Sequence, residues 1–277
     1  MFKNLSQTNV WMSLSITLLT ALFYLEFSTL ENSYIYLLTV FLGSNAVYHF
    51  HRLVRNVLIG ESTFQTRDLW LKKHVFVLWV WVVISGGISL FLFFKQHILF
   101  TRTTAILFIS VVFYATPIFR IKHKWIKLRD IPFFKVFLVA LIWAMVSVYL
   151  PIELLDLEWT TKITNRFVAN ILLIIGITLP YDIRDIPVDE SKTFANTIGE
   201  LKTIRLSQFI LVLWCFVESY LNESSWVVSV LVFLYAIILI SKTKISSPSM
   251  HYAFYLESIP IVYFILFFLE FNIKSYF

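Results

Sequence analysis

The stretch HVFVLWVWVVISGGISLFLFF, residues 74–94, decides the fold class of this protein. It is 21 residues long and contains no Asp, Glu, Lys or Arg. A helix that crosses the hydrocarbon core of a bilayer needs about 20 mainly apolar residues. The stretch therefore predicts a membrane-spanning helix.

Similar apolar windows recur along the whole chain of 277 residues. Hydrophobic residues make up 58% of the sequence and charged residues 14%, whereas about 25% of the residues in soluble domains are charged. This composition excludes a soluble enzyme, a disordered chain and a fibrous protein. We predict an all-α integral membrane protein in which residues 1–277 form a single bundle of about nine transmembrane helices, at 9–28, 33–50, 74–94, 98–119, 132–151, 166–181, 206–222, 225–241 and 252–271.

The Lys and Arg residues between these windows predict the orientation in the membrane. With a cytoplasmic N-terminus, the cytoplasmic segments hold 18 of them and the opposite side holds five, one of which is Arg166. Because Lys and Arg concentrate in cytoplasmic loops, we expect the N-terminus inside and the C-terminus outside, with a bacterial inner membrane as the simplest location. The longer connections, at about 45–73, 114–135 and 181–205, then share the cytoplasmic side.

Three carboxylates after the sixth window give the strongest chemical signal. Asp182, Asp185 and Asp189 are spaced i, i+3 and i+7, so on a helix they project from one face. A hard divalent cation relieves their mutual repulsion, and Mg²⁺ favours one or two carboxylates together with phosphate oxygens. The spacing predicts a magnesium site. The alternative is a solvated helix end at which these acids pair with Arg184 and Lys192.

Two segments resemble the UbiA superfamily of intramembrane prenyltransferases. Residues 182–199, with the three aspartates followed by Lys192, Thr193 and Gly199, are similar to the second aspartate motif of that family. The segment YATPIFRIK, residues 114–122, is similar to its Tyr-x-x-Pro-x-x-Arg-x-Lys segment. The resemblance covers nearly the whole chain. It implies catalysis with one Mg²⁺ ion on the three aspartates, and substrate binding by Tyr114, Arg120, Lys122 and Lys192. Lys135, at the start of the fifth window, is expected at the same cytoplasmic mouth.

The first aspartate motif of that family, Asn-Asp-x-x-Asp-x-x-x-Asp, has lost its acids in this sequence. Asn45 is present, but the three aspartate positions hold Ala46, His49 and Leu53. Asn45, His49 and Arg52 instead form one polar stripe on a helix, and Arg presents fixed donors that suit phosphate oxygens. We predict that this stripe contacts the diphosphate of a prenyl donor directly. The alternative is an ordinary basic loop facing anionic lipid headgroups.

The resemblance implies transfer of a prenyl group from a prenyl diphosphate to an aromatic or lipidic acceptor, with quinone biosynthesis as one setting. Membrane lipids are expected partners and nucleic acid is not. The main alternative is a catalytically inactive UbiA-fold protein that binds an isoprenoid or a protein partner. A transporter is a further alternative, although its polar groups usually lie near the membrane midplane.

Two polar residues inside predicted spans are further candidates. Glu257 lies in the ninth window, and an acidic residue within a spanning helix suggests function because its burial is costly. It is a candidate for the acceptor site. Asn170, in the sixth window, is a similar candidate, and the alternative is that it forms a hydrogen bond between helices.

Overall fold

The computed structural model describes residues 8–54, 70, 72–96, 102–116, 119–121, 124–126, 128–187, 192–221 and 226–275. Helices account for almost all of this structure. Two short strands, β1 (Phe119–Ile121) and β2 (Lys124–Ile126), pair in an antiparallel hairpin.

The helices are numbered in chain order. The first four are α1 (Val10–Phe27), α2 (Tyr34–Leu53), α3 (Val75–Lys95) and α4 (Arg102–Ala115). They are followed by α5 (Phe134–Leu155, with a π-helical turn at Met145–Tyr149), α6 (Thr161–Asp185), the short α7 (Phe194–Ile198) and α8 (Glu200–Phe216, continued by a π-helical turn at Val217–Leu221). The last two are α9 (Trp226–Ser241) and α10 (His251–Ile273, which begins with a π-helical turn at His251–Tyr255).

The predicted nine-helix bundle is confirmed within the described residues, because each apolar window coincides with one helix longer than ten residues. Five of these helices, α1, α3, α5, α6 and α10, are long and apolar enough to cross a membrane. The helices α4 and α9 are apolar but shorter. In α3 only Leu78, Ser85 and Ser89 are buried, so most of this apolar helix faces outward, as expected for a helix in contact with lipid. The chain is an integral membrane protein.

Helix α6 lies at the centre of the bundle and packs against both α5 and α8. Gly176 allows the close approach of α8, because a Cβ atom there would come within 2.7 Å of the Leu211 side chain. The Ser207 hydroxyl donates to the Gly176 carbonyl oxygen at the same contact. The Asn170 amide donates to the Ser147 hydroxyl of α5, which confirms the alternative of a hydrogen bond between helices.

The boundaries of α6 correct two details of the sequence analysis. The helix begins at Thr161, where the Thr160 side chain caps it by accepting from the Ile163 backbone N–H, and it extends to Asp185. Arg166 was counted among the loop cations, but its side chain is only 1% exposed and lies inside the bundle. Buried carboxylates on neighbouring helices explain its position, since Glu26 and Glu218 both pair with it.

Candidate functional site

Two of the predicted aspartates lie at the end of α6 and pair with a lysine at the start of α5. The Lys135 ammonium nitrogen is 3.0 Å from an Asp182 carboxylate oxygen and 3.2 Å from an Asp185 carboxylate oxygen. The side chains of Asp182, Lys135 and Asp185 are 2%, 11% and 14% exposed. The i, i+3 spacing therefore places both acids on one face, as predicted, and a buried cation bridges them.

Arg184 provides a second cation beside this pair. Its Nε atom donates to an Asp185 oxygen at 2.8 Å, and its guanidinium lies over the rings of Tyr181 and Tyr252, 5.1 and 5.4 Å from their centroids. The alternative in which Arg184 pairs with the acids is thus partly realised. Arg184 also links the acid pair to the aromatic residues at the start of α10.

The loop before α5 adopts an unusual backbone conformation next to the acid pair. Phe133 has a φ of 61°, in the left-handed region that a bulky side chain rarely adopts. Its backbone N–H donates to the Lys192 carbonyl oxygen at 3.1 Å, and its ring packs 4.9 Å from that of Phe194. These contacts join the loop before α5 to the segment before α7, where the Thr193 side chain caps the helix by accepting from the Asn196 backbone N–H.

A narrow cleft lies between these two segments; in this structure it is too tight to admit a water molecule, and its space of about 180 Å³ includes the open solvent at its mouth. Three cationic side chains and one carboxylate face it, together with apolar groups and a hydroxyl. An excess of positive charge in a partly enclosed cleft favours an anionic ligand. The residues that line it are Arg129, Ile131, Phe133, Lys135, Val136, Asp182, Lys192 and Thr193.

The donor set fits a magnesium ion only when phosphate oxygens complete the coordination. Asp189 lies outside the described residues, and the part of the chain that the structure describes contains no group of three or more His, Cys, Asp or Glu side chains placed to hold a metal. Asp182 and Asp185 supply the one or two carboxylates that Mg²⁺ uses beside substrate phosphates. In this structure the Lys135 ammonium bridges those carboxylates.

The polar stripe on α2 is buried and hydrogen-bonded to neighbouring helices. Asn45 accepts from the Trp81 indole N–H at 2.7 Å and donates to the Ser13 hydroxyl at 3.2 Å. The Nε2 atom of His49 lies 2.7 Å from the Thr8 carbonyl oxygen. Arg52, one turn further along the helix, is partly buried. The structure thus shows Asn45 and His49 fixing α2 against α1 and α3, and their contact with a diphosphate stays a prediction.

The segment after α4 is described in part. Tyr114 lies at the end of α4 with its ring 5.3 Å from that of His51, and it is within electrostatic range of the Lys135 ammonium and the Tyr48 hydroxyl. Arg120 belongs to β1, and nothing is described of its side chain; Lys122 lies outside the described residues. Of this predicted set, the structure places Lys192 at the same cleft as Asp182, and the ring contact of Tyr114 is with His51.

Arg129 was missed as a site residue, whereas Lys135 was expected at the cytoplasmic mouth but without its pairing with the acids. Arg129 lines the cleft and lies within electrostatic range of Asp185, and Lys135 pairs with both acids. The sequence signal was the dense run of Lys and Arg between residues 120 and 135. Sequence alone does not tell which of these cations turns toward α6, because that depends on how the loop packs.

A group of hydroxyl and aromatic side chains lies near Glu257. The Tyr181 hydroxyl lies 3.1 Å from a Glu257 carboxylate oxygen and 2.8 Å from the Tyr252 carbonyl oxygen. The Tyr48 hydroxyl accepts from the Trp143 indole N–H at 2.8 Å and lies within electrostatic range of Glu257. Glu257 itself is 6% exposed.

Comparison with known proteins identifies the fold. No protein-family model matches the chain, and no curated protein matches it in sequence. The structure is similar to a solved structure of digeranylgeranylglyceryl phosphate synthase, from a study of that protein in membranes, with a TM-score of 0.56. The similarity covers 98% of this chain and 97% of the other at 13% identity. The chain therefore shares its overall fold with that membrane protein.

Proposed function

We propose that this protein is an integral membrane prenyltransferase that transfers a prenyl group from a prenyl diphosphate to an aromatic or lipidic acceptor. The single observation that carries the proposal is the cleft at the end of the bundle. There the Asp182–Lys135–Asp185 cluster meets Arg129 and Lys192, on a fold shared with digeranylgeranylglyceryl phosphate synthase.

The cleft supplies the charges that a diphosphate leaving group requires. Arg129, Lys135 and Lys192 offer positive charge to the phosphate oxygens, on which negative charge grows as the allylic C–O bond breaks. Asp182 and Asp185, with Asp189, would hold one Mg²⁺ ion, which adds neutralising charge as a Lewis acid. Lys135 keeps the two described carboxylates neutralised and correctly spaced.

In this proposal the remaining predicted residues also take part in donor binding. Tyr114 donates a hydrogen bond to the donor, and Arg120 and Lys122 add positive charge where the diphosphate enters. On α2, Arg52 is proposed to contact the diphosphate, with Asn45 and His49 on the same stripe. The N-terminus and the cleft then face the cytoplasm of a bacterial inner membrane, and one setting for such a reaction is quinone biosynthesis.

Aromatic side chains near the cleft suit the cationic intermediate. An allylic cation is stabilised by the faces of aromatic rings and is destroyed by water. Tyr48 and Trp143 are joined by a hydrogen bond, and Tyr181 directly precedes Asp182 on α6, so aromatic rings are present in this part of an apolar bundle. In this proposal the protein neutralises charge, orients the reactants and excludes water, and it forms no covalent bond itself.

The second candidate is an inactive protein of the same fold that binds an isoprenoid or a protein partner. Two observations favour it: Ala46 and Leu53 stand where the family has aspartates, and Lys135 and Arg184 already neutralise Asp182 and Asp185. Such a protein would bind a prenyl diphosphate without cleaving it.

The decisive experiment measures diphosphate release and prenyl transfer by the purified protein in lipid nanodiscs. Tritiated farnesyl and geranylgeranyl diphosphates are offered with a panel of phenolic and glycerol-lipid acceptors, with Mg²⁺ or with EDTA. We expect transfer that depends on Mg²⁺ and falls at least about 100-fold in Asp185→Asn. Glu158→Gln, the same loss of charge at an exposed residue beyond the other end of the bundle, is the matched control.

Two results separate the candidates. Tight donor binding without diphosphate release by the wild-type protein would favour the inactive candidate. Transfer that is equal in Asp185→Asn and Glu158→Gln would contradict the proposed site.

A further inference from the structure

The group of residues around Glu257 is not used by the donor chemistry described above. Glu257 lies in a short 3₁₀ segment, Leu256–Ser258, which directly follows the π-helical turn at the start of α10. Irregular turns inside a helix are frequent at functional sites, and an acidic residue inside a spanning helix is a functional candidate by default. The position of Glu257 therefore calls for a role.

Part of the side-chain surface near Glu257 is accessible, although Glu257 itself is only 6% exposed. Tyr48 and Tyr181 are half-buried although they lie within the bundle, and Trp143 is almost fully buried beside them. Tyr48, Trp143, Tyr181 and Glu257, here called the inner pocket, belong to α2, α5, α6 and α10. Four different helices thus direct polar groups and rings to one place.

The inner pocket lies next to the donor cleft. Tyr181 precedes Asp182 on α6, so one helix carries both a pocket residue and a cleft residue. Arg184 pairs with Asp185 and lies over the Tyr181 ring. On the other side, Tyr114 lies within electrostatic range of both Lys135 and Tyr48. A molecule in the inner pocket would therefore sit one side chain away from a diphosphate in the cleft.

We propose that the inner pocket binds the prenyl acceptor through an uncharged hydroxyl group and that Glu257 is the general base that takes its proton. This inference rests on the proposed function and adds the class of acceptor. A carboxylate accepts a hydrogen bond from a hydroxyl and repels an anionic group. The pocket thus selects phenols or glycerol lipids at their hydroxyl and disfavours a carboxylate at the same position.

In the proposed reaction each bond that forms is matched by one that breaks, and Glu257 receives the proton. The acceptor oxygen forms a bond to C1 of the prenyl group, and the C1–O bond to the diphosphate breaks with its electron pair leaving on the diphosphate. The acceptor O–H proton passes to a Glu257 carboxylate oxygen and is then released to water at the cleft. A positioned general base contributes about 10²- to 10⁴-fold to such a step.

Binding of paired probes tests the pocket without requiring turnover. Tritiated 1-naphthol is compared with 1-methoxynaphthalene, and 1-O-hexadecylglycerol with its dimethyl ether, on the full chain in nanodiscs. We expect at least one hydroxyl probe to bind about tenfold more tightly than its ether, since a hydrogen bond to a charged group has that effect or more. Which pair shows the preference tells a phenol from a glycerol lipid.

Three variants test whether Glu257 causes the preference for hydroxyl probes over their ethers. Glu257→Gln should lose most of it and should lower the transfer rate about 10²- to 10⁴-fold while donor binding persists. Ser15→Ala removes a hydrogen bond to the Glu257 backbone carbonyl but keeps the carboxylate, so it reports purely structural effects and should keep the preference. Asp185→Asn should lose donor turnover and keep the preference.

The outcomes separate this inference from the proposed function. No hydroxyl preference in the wild-type protein, or equal loss of preference in Ser15→Ala and Glu257→Gln, overturns the assignment of Glu257. A preference that depends on Glu257 in a protein that neither binds nor cleaves prenyl diphosphates supports the pocket and refutes the prenyltransferase proposal.

Discussion

Arg166→Met should lower the free energy of unfolding of this protein more than the loss of an exposed charge does. The Arg166 guanidinium is 2.7 Å from a Glu26 oxygen, 2.8 Å from both Glu218 oxygens and 2.7 Å from the Tyr263 hydroxyl. Its own side chain is 1% exposed, and those of Glu26 and Glu218 are 6% and 0% exposed. One cation thus joins α1, α6, α8 and α10 at the end of the bundle away from the cleft.

The expected loss follows from the burial of these charges. Methionine fills a similar volume but removes the buried cation that Glu26 and Glu218 share, which leaves Glu26, among the described residues, with only the exposed Lys162. Breaking a buried ion pair from one side destabilises a protein by about 3–5 kcal/mol. Lys162→Met is the matched control, because Lys162 lies 3.5 Å from the same Glu26 but is 48% exposed. Exposed pairs of this kind contribute only about 0–1 kcal/mol.

The single cysteine provides the assay. Cys215 is half-buried on α8, one turn before Glu218, and a thiol-reactive fluorophore labels it faster as the helix opens. Labelling across a titration with SDS in mixed micelles gives a free energy of unfolding for each variant. Free energies for Arg166→Met and Lys162→Met that agree within about 1 kcal/mol would refute the idea that the buried network stabilises the bundle.

Further variants test the packing and the charges near the cleft. Gly176→Ala should destabilise the fold by about 1–3 kcal/mol, since its Cβ would crowd α8. Gly87→Ala should not destabilise the fold, because its Cβ would meet nothing within 4 Å. The same SDS titration compares the two variants. Lys135→Met removes a cation that pairs with both Asp182 and Asp185 and should lower the melting temperature, and added Mg²⁺ should then raise that temperature more than in the wild-type protein. No Mg²⁺ effect in Lys135→Met would count against a metal site on these carboxylates. Tyr36→Phe leaves the Val146 carbonyl, which accepts from the Tyr36 hydroxyl at 2.7 Å, without its donor and should destabilise the fold by about 1 kcal/mol in thermal unfolding.

The sequence predicts the helices well because apolar length is a direct physical requirement for crossing a bilayer. It predicts their ends less well. The window 166–181 omitted the polar residues from Thr161 onward, which belong to α6 because Thr160 caps the helix and Glu26 and Glu218 compensate Arg166. Those partners are far apart in sequence, so hydropathy alone assigns Arg166 to a loop.

In the candidate site too, the sequence predicts the local features and not those that depend on how the helices pack. The i, i+3 spacing of Asp182 and Asp185 is a local property, and the structure places both carboxylates on one face. Their pairing with Lys135 joins residues 47 and 50 positions apart and depends on how α5 packs against α6. The unusual conformation of Phe133 and the π-helical turn before Glu257 likewise arise from tertiary packing, and no sequence pattern announces them.

The affinity of the cleft for a prenyl diphosphate tests the central claim most directly. Calorimetric titration with an inert analogue, farnesyl thiodiphosphate, measures this affinity in the wild-type protein and in two variants. Lys192→Met removes a cation of the cleft. Its control, Lys242→Met, removes an exposed cation in the loop between α9 and α10. We predict that Lys192→Met weakens binding about 10- to 100-fold and Lys242→Met less than about threefold. Equal affinities for the two variants would contradict the placement of the donor in this cleft.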